Sequence, residues 1–218
     1  MSEVIITVRG EHEVHVAAER ATVHLTVVQE GSDRQSVVDA ALSAATPVRE
    51  SITTRKESGA VTEWSSRQLD VRADRPWSND GKRLAPVYRA TVDFTATFAD
   101  ISEMSLWATE LSAWDGVELG YTEWLLTDET ATRLESEVAT EAVNVAVTRA
   151  TAYAKALGLQ TVTPLEIADR GLISAGSPPA PKMARAMAFD SAAGAPAMEY
   201  AGEDITVSAT VEARFSAS

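Results

Sequence analysis

Three histidines, His12, His15 and His24, are the only imidazoles among 218 residues, and cysteine is absent. Any metal site would have to draw on them. His12 and His15 bracket Glu13 and Val14, a spacing that matches neither the helical His-Glu-x-x-His of zinc proteases nor a zinc finger. His24 lies on a segment that alternates like a strand, so the sequence predicts no metal ion and no cofactor. The lack of cysteine removes disulfides, thiolate ligands and a cysteine nucleophile. Ser174 and Ser177 flank Gly176 in a loose stretch without a nearby base, and no G-x-S-x-G elbow, phosphate loop or dinucleotide fingerprint occurs. Glu199, Glu203 and Asp204 form the densest late carboxylate group and read as a solvated run ahead of a strand. No catalytic residue is assigned, and the chain is read as a non-enzyme.

Two other features carry chemistry of recognition. Arg149 falls within the apolar arc of a predicted helix, between Val145 and Ala152. If buried there it needs a carboxylate or carbonyl partner, and otherwise it snorkels to the rim. Trp77 sits on a predicted hairpin tip, and Met183, Met187 and Phe189 lie in a loop of adaptable apolar side chains. These four are the expected contact surface for a partner. The alternative function is an enzyme or small-ligand binder with its site between sheet and long helix, around Arg149 and Tyr153.

These residues must be positioned by elements that the hydrophobic pattern outlines. Asp128 to Gly158 reads as one long helix, with Asp128 as N-cap, Lys155 in the last turn and Gly158 as a left-handed C-cap. Its polar residues occupy about a third of the circumference. Ala142, Ala146, Ala150 and Ala154 recur every fourth residue, a ladder that another helix or subunit could approach closely. Strands are expected over two short N-terminal pieces, Arg20–Gln29, Val61–Ala73, Leu84–Phe98, Val117–Leu126, Thr161–Ile173 and Ile205–Phe215. Pro164 argues for an edge position. Ser32 and Gln35 have the spacing of a capping box opening a helix through Pro47, and Asp100 with Glu103 opens a shorter one.

From Arg20 to Leu126 the order strand, helix, strand, strand, helix, strand predicts an α+β fold: an antiparallel sheet of ferredoxin-like split βαβ order, helices on one face, extended by the long third helix and outer strands. The opposite, threonine-rich face is expected to be wet or to meet another subunit. We expect a single domain over 1–218, with 174–203 a flexible loop rich in proline, alanine, glycine and methionine. A net charge of −13 opposes phosphate backbones, and no apolar run reaches the roughly 18 residues of a membrane span. Neither nucleic acid nor membrane insertion is expected, and without a signal peptide the chain as given reads as cytoplasmic.

The opening ITVRGEHEVHVAAERATVHLTV resembles the start of SIMPL-domain proteins, V-x-G-E-G-x-V-x-x-x-P-D-x-A followed by an alternating strand. Val8, Gly10, Glu11, Val14 and Ala21 match, whereas His12 replaces the second glycine, Ala18 the proline and Glu19 the aspartate. The long helix closing on Ala156, Leu157 and Gly158 is similar to a second signature. The ending AGEDITVSATVEARF resembles a third, with Ala201 in place of a proline. The resemblance implies an α+β fold, homo-oligomers of ring or channel form, frequent export in bacterial members and a link to oxidative stress defence; an animal member is associated with kinase signalling. It implies no catalytic residue. The combined expectation is a self-assembling, non-enzymatic scaffold or binding module.

Overall fold

The computed structural model describes residues 4–173 and 202–218. In chain order the elements are β1 (Val4–Ala17), β2 (Arg20–Gly31), α1 (Arg34–Glu57), β3 (Val61–Ser66), β4 (Asp70–Asp74), β5 (Val87–Phe98), α2 (Ile101–Leu111), β6 (Val117–Leu125), α3 (Asp128–Ala156), β7 (Val162–Asp169) and β8 (Asp204–Ala217). The fold is α+β, and its contacts divide into two compact units. Of the described residues, Ala17–Leu126 with Gly202 and Glu203 form one unit, and 4–16, 127–173 and 204–218 form the other.

The first unit holds a five-stranded sheet. Ala21, Val23, Leu25 and Val27 of β2 alternate inward, and Val92, Phe94, Ala96 and Phe98 of β5 do the same. Val48 and Ile52 of α1 and Met104, Trp107 and Leu111 of α2 complete this core. Trp107 satisfies its buried indole by donating to Ser51 Oγ at 2.9 Å. The strand order β3-β5-β2-β6, with every adjacent pair antiparallel, is the predicted split arrangement, in which β5 separates β2 from β3.

Local differences have local causes. The strand expected over Val61–Ala73 is two strands, both paired with β5; between them Leu69 turns inward to join the apolar core. β5 begins at Val87 rather than Leu84, because Pro86 has no N–H for the ladder. Helix α1 is capped by Asp33, one residue after the expected Ser32: its carboxylate accepts from Ser36 N at 2.9 Å and Ser36 Oγ at 2.7 Å. Pro47 lies inside a continuous α1. Asp100 caps α2 as expected.

The second unit is a three-stranded sheet, order β1-β8-β7, with α3 laid on it. Gly10 and the charged segment after it do not divide the first strand in two; β1 runs unbroken from Val4 to Ala17. Val4, Ile6, Val8 and Gly10 turn toward the helix, while Ile5, Thr7, Arg9 and Glu11 face away. Thr127 caps α3, one residue before the predicted Asp128, and Gly158 ends it with φ +77°. Among the described residues no helix is long and apolar enough to cross a membrane.

Candidate functional site

In the three-stranded unit the alanine ladder is occupied by the protein itself. Ala142, Ala146, Ala150 and Ala154 are buried against Ile6, Val8, Val211, Ala213 and Phe215. They therefore pack on a sheet, not on the other helix or subunit that their spacing suggested. The cause is Gly10: a Cβ built there would lie 1.9 Å from the carbonyl oxygen of Ala142. At Gly10 the strand and helix backbones touch, and only a hydrogen fits there.

Arg149 is exposed rather than buried. Its guanidinium reaches out of the helix and Nη1 donates to the carbonyl oxygen of Arg9 at 2.7 Å, the rim position that a long amphipathic side chain can take. Tyr153 is also open to solvent, so these two residues do not line an enclosed site. Among the described residues the buried charge of this unit is Glu212, 4% exposed on the face turned away from α3, with Arg9 Nη2 at 3.2 Å from Oε1. Arg9 thus joins β1 to β8 through its side chain and to α3 through its carbonyl. Alternation alone marked Glu212 as an outward position, and no local pattern signals its burial.

His12 faces the helix and borders an open cleft of about 330 Å³, lined also by Val14, Ser136, Glu137, Thr140 and Glu141. His15 lies on the opposite face, its Nδ1 3.0 Å from Thr206 Oγ1. His24 belongs to the five-stranded unit, at the register shift between β2 and β6, and stacks on Tyr121 with centroids 4.1 Å apart. Among the described residues no group of three or more His, Asp or Glu could hold a metal ion.

β7 is an edge strand among the described residues, as Pro164 suggested. A bulge between Pro164 and Glu166 then reverses the facing of the strand, so that Ile167 lies opposite Ala213 on the helix side. Helix α3 lies over β1 and β8 and scarcely reaches β7. Ile167 is left 56% exposed and Leu165 53%. The proline was legible in the sequence; the bulge and the reach of the helix were not.

The helix-free face of the five-stranded sheet is polar. Thr22 and Thr97 hydroxyls meet at 2.8 Å, Ser65 and Thr95 at 2.8 Å, and Thr26 donates to Asp93 Oδ1 at 2.8 Å. A hollow of about 210 Å³ lies between Thr26, Asp70, Arg72, Arg89, Thr91 and Asp93. Sequence reasoning saw the threonines. It misses this charged group because Asp70 and Arg72 come from β4, which the alternation merges with β3 into one longer strand.

Trp77 stands 62% exposed on its hairpin, with the Arg83 guanidinium 4.9 Å from its ring centroid. Met183, Met187 and Phe189 lie outside the described residues. Compared with known proteins, residues 6–215 match a family model described as "SIMPL: Protein of unknown function (DUF541)". No curated protein matches the chain.

Proposed function

The chain belongs to the SIMPL family, whose function is unknown, and from that premise we propose that it is a non-enzymatic protein that assembles with copies of itself as a scaffold or binding module. The observation behind this reading is β7. Among the described residues it is an edge strand carrying exposed Leu165 and Ile167, and α3 scarcely covers its helix-side surface. Unpaired strand edges recruit further strands. Both are already about half buried, so completing their burial would contribute about 1 kcal/mol each, enough to shift an association constant by about fivefold apiece. The role in stress defence implied by the family resemblance belongs to the same proposal.

Light scattering at micromolar concentration tests it. The native chain should give a mass that is a multiple of 23.3 kDa, and Ile167→Lys should return it to a single chain with unchanged circular dichroism. Leu165→Lys serves as a second variant if the first fails to fold. A native protein that is monomeric at these concentrations would overturn the reading.

A further inference from the structure

We propose that the hollow on the helix-free face of the five-stranded sheet binds a small aliphatic amino carboxylate in its zwitterionic form, the ammonium on Asp93 and the carboxylate on Arg89. The hollow presents two guanidinium groups, Arg72 and Arg89, and two carboxylates, Asp70 and Asp93. Arg72 is already engaged, its Nε 2.7 Å from Asp70 Oδ2. Arg89 is held by exposed Glu30 at 2.9 Å and Glu118 at 3.8 Å, contacts that a ligand carboxylate can replace in water at little cost. Asp93 is half-buried; its Oδ1 accepts the Thr26 hydroxyl, and among the described residues no ion pair joins it to a cation.

Arg89 and Asp93 lie on one face of β5, four residues apart, which separates their Cα atoms by roughly 13 Å. Both side chains nevertheless line the same hollow. A volume of about 210 Å³ is below the usual range for drug-sized ligands, roughly 300 Å³ upward. The selectivity is built from repulsion as well as attraction. A simple anion entering beside Arg89 meets Asp93, a simple amine entering beside Asp93 meets Arg89, and a zwitterion satisfies both.

Calorimetric titration of the full chain with glycine, β-alanine and 4-aminobutyrate, against butyrate and butylamine, provides the test. At least one zwitterion should saturate with Kd at or below about 1 mM, while the two single-charge analogues bind at least about tenfold more weakly. Asp93→Asn and Arg89→Gln should each weaken the zwitterion by about tenfold or more without altering the circular dichroism. Amide shifts of Thr91 and Asp93 in the native protein give a readout that needs no variant. Absence of saturation by any zwitterion, or equal binding of butyrate, would overturn the proposal, as would shifts confined to other residues.

Discussion

Glu212 and Asp33 show what surroundings do to a carboxylate. Glu212 is removed from water and set beside Arg9, and a charge so placed depends on its partner because desolvation costs more than a surface pair returns. Asp33 is exposed, and its effect comes from geometry. Hydrogen bonds from Ser36, first from the backbone N–H and then from the side chain, hold its carboxyl below the ordinary carboxylate value. The positive end of α1 favours the same charged form. Since the folded-state pKa is depressed, the cap stabilises fully above the unfolded-state value of about 3.9 and loses its contribution as pH falls through the lower folded-state value. Asp33→Asn keeps an acceptor oxygen but does not titrate. Thermal melts from about pH 6 to about pH 2 should therefore show the native protein above the variant at the neutral end, with the gap closing in acid. A gap independent of pH would mean that the carboxylate charge does not stabilise the helix start.

Among the elements, α3 with its sheet is the case where sequence and structure inform each other most. The alternation of β2 and β8, the length of α3 and its glycine C-cap were legible because they depend on periodicity and on local backbone preference. The partner of the alanine ladder was not, because a four-residue repeat of small side chains says that something approaches closely without saying what. Gly10, read from sequence as a break between two strands, is the complementary surface within a single one. The charged face of the five-stranded sheet was hidden for a similar reason: its residues meet only through the register of β4 on β5. Gly10→Ala should be the sharpest probe of the seam, since the added methyl carbon meets backbone rather than a movable side chain. We expect a loss of about 1–3 kcal/mol or more in urea denaturation. An exposed-strand Gly→Ala change would instead stabilise slightly, and that result would show that β1 and α3 do not touch as described.

At the scale of the whole molecule the connectivity is unequal. The three-stranded unit gathers β1, α3, β7 and β8 from both sides of the intervening sequence, so its central strand β8 comes from the far end of the described chain. The five-stranded unit is almost one continuous stretch, Ala17–Leu126, and has its own core around Phe94, Phe98 and Trp107. A segment of about 110 residues with such a core is of ordinary size for independent folding. The fragment Ala17–Leu126 should therefore unfold in urea as a single cooperative transition, with Trp107 contributing a near-ultraviolet circular dichroism signal that disappears in the same transition. The reverse construction, which joins β1 directly to α3, has to close its sheet through the distant β8 and should fold more slowly for that reason. The single domain expected over 1–218 makes a different forecast: the isolated Ala17–Leu126 fragment would keep secondary structure but lose fixed side-chain packing. Coincident far- and near-ultraviolet transitions in the fragment would favour two separable folding units, and a fragment without near-ultraviolet signal would favour one cooperative domain.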